Sequence, residues 1–188
     1  EGPLVVWGEH ADIEGSSDVY GVQYPYEVHS VFDHYQDTIL LVDKGEKPVS
    51  STVGHNLMHN HAYAASRFDQ AVENLALLVP ILKEGNLDEF VSLVESEALT
   101  LHAMMLTSKP YFILMKPNTL KIIDKIWEYR RDTSIPVCFT LDAGANVHVL
   151  YPKKDKEAVQ EFIKNDLSIY CQDNRYIFDN VGNGAIKL

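Results

Sequence analysis

The feature that most constrains the fold is the stretch from residue 137 to residue 151. Its two ends, VCFTL and VHVLY, are apolar runs rich in β-branched and aromatic residues, and the small loop DAGAN joins them. This pattern predicts a strand, a tight turn and a second strand. The sequence therefore places one carboxylate, that of Asp142, at the end of a strand beside residues that have almost no side chain.

Asp142 has two interpretations at this point. A scaffold that presents a reacting carboxylate needs an acid on a fixed turn, and the small residues Ala143, Gly144 and Ala145 leave room there for another molecule. An aspartate at a turn is also explained when its side chain accepts a hydrogen bond from the main chain nearby, as in an Asx turn. The spacing alone favours the Asx turn.

Length and composition limit the class of protein. The chain of 188 residues suits one sizeable domain, or one domain and a piece of another. Its net charge of -11 argues against nucleic acid or an anionic membrane as a partner. No apolar run reaches the roughly 18 residues needed to span a membrane. The two cysteines, far apart in apolar contexts, indicate buried thiols in a reducing compartment, and we expect a cytoplasmic protein.

The order of the predicted elements indicates an α+β domain. Apolar runs predict strands at residues 4–9, 19–24 and 37–43, before the hairpin, and at residues 167–171 and 184–188 after it. Helical spacing predicts one long helix that ends at Gly85, a second that starts at Asn86, and two more at residues 118–131 and 153–164. Helices should therefore cover one face of a mainly antiparallel sheet.

Two polar clusters precede or begin the first long helix. Ser50, Ser51 and Thr52 stand where a helix N-cap is expected, and one hydroxyl capping the helix explains them without any ligand. The same groups, with the free N–H groups of a helix start, could hold phosphate oxygens.

His55 and His59 are four residues apart, with His61 close behind, which is a spacing that zinc sites use. Asn56 stands where a metalloprotease motif has glutamate, so a polar helix surface is favoured and no metal ligand is assigned. His102 and His148 are lone histidines on apolar elements, which core or turn positions explain.

Three of these stretches, taken in order, resemble the diphosphomevalonate decarboxylases of the GHMP kinase superfamily. LVVWGE at residues 4–9 is similar to a strand of that family, VSSTVG at residues 49–54 is similar to its Ser-Ser-Thr-x-Gly segment, and FTLDAGAN at residues 139–146 is similar to its Asp-Ala-Gly turn. The segment LHAM at residues 101–104 adds a weaker similarity. The match covers most of the chain.

The resemblance implies an ATP- and Mg²⁺-dependent enzyme that decarboxylates mevalonate 5-diphosphate to isopentenyl diphosphate. It places Asp142 next to the 3-hydroxyl of the substrate, where the carboxylate accepts a proton or orients the oxygen. It makes Ser51 a contact for the phosphates or the carboxylate of the substrate, with Ser50 and Thr52 beside it. With the resemblance, the catalytic interpretation of Asp142 becomes the favoured one.

The resemblance also implies a division of the chain. Residues 1–35 are expected to be strands left from an N-terminal nucleotide-binding domain, and residues 36–188 a ferredoxin-like C-terminal domain. The nucleotide loop is expected upstream of Glu1, so we expect this fragment to be inactive alone. A homodimer is one oligomeric state that the sequence allows. The rivals are another small-molecule kinase of the superfamily, which keeps its phosphate, and a non-catalytic module that binds a metal or a partner through the histidine cluster.

Overall fold

The computed structural model describes residues 3–45 and 57–184. Its centre is a four-stranded sheet in the order β4-β5-β3-β6, in which every neighbouring pair is antiparallel. The strands are β3 (Gln36–Leu40), β4 (Cys138–Thr140), β5 (Val147–Tyr151) and β6 (Tyr176–Asn180). A separate pair near the start is formed by β1 (Val5–Val6) and β2 (Val22–Gln23). The helices are α1 (Ala64–Glu84), α2 (Leu87–Thr107), α3 (Pro117–Thr133) and α4 (Lys156–Phe162).

One face of the sheet carries the main core. Alternate residues of β3 and β5 are buried, as the two-residue period of a half-covered strand requires. Within this face the hydroxyls of Thr38 and Tyr151 form a buried hydrogen bond of 2.7 Å. The fully buried apolar side chains of this core come from β3, α3, β4 and the residue before it, β5, α4 and the turn after α4: Leu40, Ile122, Ile126, Val137, Phe139, Val147, Val149, Tyr151, Val159, Ile163 and Leu167.

The opposite face carries a smaller apolar cluster. Leu150 alternates with buried Val149 and Tyr151, so it points to the other side of β5, where it packs with Phe32 and Tyr35. Leu82 of α1 and Phe90 of α2 also pack in this cluster. The segment before β3 is therefore packed against the sheet, and the boundary between residues 35 and 36 stays a prediction.

The junction of α1 and α2 agrees with its sequence signals. Gly85 ends α1 in the left-handed conformation, with φ 74°, which glycine adopts without steric cost. The side chain of Asn86 then caps α2 by accepting a hydrogen bond from the N–H of Glu89 at 3.3 Å. The two helices form a tight helical hairpin, and α2 ends at Thr107, before Pro110.

The α+β class, the antiparallel sheet and the hairpin of residues 137–151 are confirmed. The strand predicted at residues 167–171 is wrong, because that stretch forms π and 3₁₀ turns through Tyr170, and the closing strand is β6. A short apolar run has no periodicity that separates a buried strand from a buried helical turn. Gly184 is outside any strand, and residues 185–188 lie outside the described part of the chain.

The beginning of the chain is also less regular than expected. The predicted strands at residues 4–9 and 19–24 shorten to the two-residue strands β1 and β2. The first long helix starts at Ala64, after a turn in which Asn60 has a positive φ of 62°. In the residues that the structure describes, the helices are too short or too polar to cross a bilayer.

Candidate functional site

Asp142 lies at the tip of the β4–β5 hairpin, where its side chain is 88% exposed. The hydrogen bond that closes the turn runs from the N–H of Gly144 to the main-chain oxygen of Asp142, at 2.7 Å. The turn is therefore closed by a bond between main-chain atoms. An Asx turn would instead require the Asp142 side chain to accept this hydrogen bond. This leaves the carboxylate directed outward, where a second molecule can reach it.

A buried histidine fixes the turn from behind. His102 of α2 is 1% exposed, and its Nε2–H donates to the carbonyl oxygen of Asp142 at 3.1 Å. Burial lowers the pKa of His102, while the hydrogen bond to Asp142 acts in the opposite direction. The imidazole is therefore neutral near pH 7 and carries its proton on Nε2. His102 has the core position that the sequence favoured, and it also supports the site.

Two further bonds fix the other end of the turn. The hydroxyl of Thr119, on α3, donates to the carbonyl oxygen of Ala145 at 2.7 Å. The side-chain oxygen of Asn146 accepts a hydrogen bond of 3.1 Å from the N–H of Asp43, just after β3. The turn is thus attached to α2, α3 and the end of β3, while Gly144 at its tip faces open space. Such a support fixes the main chain from which the Asp142 carboxylate projects.

Replacing His102 tests how much this support contributes. His102→Leu keeps an apolar side chain in the core but removes the donor to Asp142. We expect the free energy of unfolding to fall by about 1–3 kcal/mol, the usual cost of losing a buried hydrogen-bond partner. Urea denaturation of the 188-residue chain measures it. His102→Gln, which keeps an N–H donor, should lose less, and equal losses in the two variants would contradict the role of the bond.

His148 is the neighbour of Asp142 that the sequence did not assign to the site. Its Nδ1 lies 2.8 Å from Oδ2 of Asp37 on β3, and its Nε2 lies 3.9 Å from Oδ2 of Asp142. The hydrogen bond that His148 donates to Asp37 raises the pKa of His148, burial opposes this, and the charges of Asp37 and Asp142 add to the rise. Contrary to the expectation from sequence, His148 is not an isolated histidine.

The pair of His148 and Asp37 makes stability depend on pH. The folded state raises the pKa of His148 above its unfolded value of about 6.5, so the stabilisation is complete below about pH 6.5 and disappears as the pH rises through the folded pKa. We expect the difference in unfolding free energy between the wild type and His148→Gln to shrink steadily above that pH. Urea denaturation of both chains at several pH values measures it. A difference independent of pH would contradict a pKa of His148 that is raised by folding.

The remaining candidates from the sequence fall partly outside the described residues. The structure does not describe residues 46–56, which include Ser50, Ser51, Thr52 and His55, so the position of these residues relative to Asp142 stays a prediction. His61 forms hydrogen bonds within the fold. Its Nδ1 accepts a hydrogen bond from the N–H of Tyr63 at 3.1 Å, and its Nε2 lies 3.1 Å from the carbonyl oxygen of Met104. Across residues 3–45 and 57–184, His, Cys, Asp and Glu side chains form no group of three or more suited to a metal ion.

An antiparallel sheet with helices on it, and a turn of small residues presenting an acid, define the class: an α+β domain of the GHMP kinase type. The family model described as mevalonate 5-diphosphate decarboxylase C-terminal domain matches residues 38–183, and the chain belongs to this family. The resemblance seen in the sequence is thereby confirmed.

Individual relatives agree with this assignment. The phosphomevalonate decarboxylase of Haloferax volcanii is 26% identical over 82 residues, which are 44% of this chain and 25% of that protein. The mevalonate pyrophosphate decarboxylase of Streptococcus pyogenes has a TM-score of 0.71 at 26% identity, over 86% of this chain and 49% of the other. A structure described as MDDEF in complex with MVAPP, AMPPCP and magnesium has a TM-score of 0.76 at 25% identity, over 90% and 51%. This chain spans about half the length of these solved structures.

Proposed function

We propose that this chain is the C-terminal part of an ATP-dependent decarboxylase that converts mevalonate 5-diphosphate to isopentenyl diphosphate, CO₂, ADP and phosphate. The observation that carries the proposal is the exposed carboxylate of Asp142, on a turn supported from three sides, in a chain of this family. Phosphoryl transfer depends mainly on positioning and on stabilising charge, which a fixed carboxylate serves.

In this proposal Asp142 accepts the proton of the tertiary 3-hydroxyl as its oxygen bonds to the γ-phosphorus of ATP and the bond from that phosphorus to ADP breaks. The new phosphate group then leaves with the C–O electron pair. The electrons of the C–C bond to the substrate carboxylate form the alkene, and CO₂ is released. Ser51, with Ser50 and Thr52, is proposed to hold the phosphates or the carboxylate of the substrate.

The nucleotide is assigned to no residue of this chain. The sequence has no Walker-type loop, and its described residues hold no cluster suited to a metal ion. Mg²⁺ would neutralise charge on the transferring phosphates. The MDDEF structure with AMPPCP and magnesium supports both groups for the full-length protein. We propose that they bind in an N-terminal domain, that residues 1–35 are strands of that domain, and that the 188-residue chain has no turnover alone.

Product analysis of the full-length protein tests the reaction. With ATP and mevalonate 5-diphosphate, we expect CO₂, ADP and inorganic phosphate in equal amounts. ADP without CO₂ would identify instead a small-molecule kinase that leaves the phosphate on its product. If neither ADP nor CO₂ is formed, the protein is not an enzyme of this class. The alternative is then a non-catalytic module that binds a metal or a partner through the histidine cluster.

One observation, the similarity to the phosphomevalonate decarboxylase of Haloferax volcanii, supports mevalonate 5-phosphate as an alternative substrate. Mevalonate 5-phosphate undergoes the same bond changes and lacks only the terminal phosphate. Comparing kcat/KM for the two substrates decides between them. We further propose a cytoplasmic location, supported by two free, buried cysteines.

A further inference from the structure

A group of charged side chains lies on the face of the sheet opposite the main core. Asp37 of β3 stands directly across from Asp179 of β6 in the antiparallel ladder. His148 of β5 is diagonal to Asp37, since its own partner in the ladder is Ile39. Asp142 approaches His148 from the hairpin turn. One imidazole therefore contacts the carboxylate of Asp37 and lies 3.9 Å from that of Asp142.

The two acids of the ladder need a compensating cation. Like charges that face each other across two strands repel, and Asp37 is only 31% exposed. Its Oδ1 is buried and has no hydrogen-bond partner among the described residues, while its Oδ2 contacts His148 at 2.8 Å. When His148 is protonated, its imidazolium balances the charge of Asp37.

The same contact directs the imidazole. With Nδ1–H bound to Asp37, the ring is fixed and its Nε2–H points to the Asp142 carboxylate, 3.9 Å away. This distance is that of an ion pair and is too long for a hydrogen bond. Two other titratable groups near this face, the Cys138 thiol and the Tyr35 hydroxyl, stay neutral because burial raises their pKa values. Asp43, whose N–H bonds to Asn146 of the turn, is paired with Lys116 at 3.7 Å.

We propose that His148, oriented by Asp37, is a positioning residue that holds the ionised carboxylate of Asp142 over the hairpin tip. The proposal rests on the proposed function, because it gives Asp142 a partner for the proton transfer assigned to it. The cation of His148 attracts a carboxylate that is exposed to solvent. The arrangement operates only while Asp142 is ionised and His148 is protonated, so activity should have an alkaline limit set by His148.

The first arm of the test follows the titration of His148 without catalysis. In full-length protein labelled with ¹³Cε1-histidine, the signal of His148 is identified by its absence in His148→Gln. We expect Asp142→Asn to lower the pKa of His148 by about half a unit, as loss of an exposed neighbouring charge should. Asp142→Ala serves as a second variant. Asp132→Asn, a change at an exposed site on α3, is the control and should leave the titration unchanged. An unchanged titration in both Asp142 variants overturns the proposal.

The second arm measures kcat against pH. We expect His148→Gln to lower kcat by about 10- to 100-fold through misplacement of the carboxylate. His148→Lys keeps a cation, so it should recover part of kcat and move the alkaline limit to higher pH. If His148 had only a structural role, its replacement would change stability but not the pH dependence of kcat of the folded enzyme. An unchanged pH dependence in both variants overturns the proposal. If the wild type releases no CO₂, the proposed function fails, while the first arm still decides whether His148 and Asp142 are coupled.

Discussion

Asn in place of Asp142 is expected to lower kcat of the full-length protein about 100- to 10,000-fold, the range that a positioned acid or base contributes. Asparagine has nearly the same shape as aspartate, but its amide cannot accept the hydroxyl proton. It also cannot form an ion pair with His148, whose Nε2 lies 3.9 Å from the carboxylate. The measurement is steady-state release of CO₂ and ADP with saturating ATP.

The fold should not be affected by this change. The Asp142 side chain is 88% exposed, and the turn is closed by main-chain and His102 bonds that asparagine keeps. The free energy of unfolding should stay within about 0.5 kcal/mol of the wild type. Asp132→Asn, at an exposed position near the end of α3, is the matched control and should retain full kcat. If Asp142→Asn kept more than about a third of wild-type kcat, Asp142 could not be the proton acceptor.

The parts of the fold that the sequence predicted are those with strong local signals. Apolar runs around a loop of small residues indicate a hairpin, and β4 and β5 form one with Thr140 opposite His148. Gly85 and Asn86 mark the α1–α2 junction because each has a specific role at a helix end. The turns after α4 were missed because Leu167 and Cys171, which are both buried, fit a strand as well as a helix.

The candidate site divides in the same way. Asp142 could be singled out because an acid between small residues at a predicted turn is a local feature. Its partners could not, because the contact between His148 and Asp37 joins residues 111 apart and depends on the register of β3 and β5. The one sequence signal for this pair is that each interrupts an apolar strand with a charged or polar side chain. The role of His102 required knowing that α2 passes behind the turn.

The largest effect on stability is expected at Glu95, a carboxylate of α2 that is only 7% exposed. Arg130 of α3 binds both of its oxygens, at 2.7 and 2.9 Å, and the indole N–H of Trp127 donates to it at 2.9 Å. Arg130 also donates to the carbonyl oxygen of Val137, just before β4, at 2.7 Å. One ion pair therefore connects α2, α3 and the strand that leads to the hairpin, and it raises the pKa of Arg130.

Glu95→Ala should reduce the free energy of unfolding by about 3–5 kcal/mol, because it leaves the Arg130 charge partly buried without its counter-ion. Urea denaturation of the 188-residue chain measures the loss. Glu128→Ala, which removes an exposed pair with Lys125 on α3, is the matched control and should leave the free energy of unfolding nearly unchanged. Replacing both partners, as Glu95→Leu with Arg130→Met, should cost less than Glu95→Ala alone, since no charge is then left unpaired. A loss in Glu95→Ala no greater than that of the control would mean that solvent, and not Glu95, compensates Arg130.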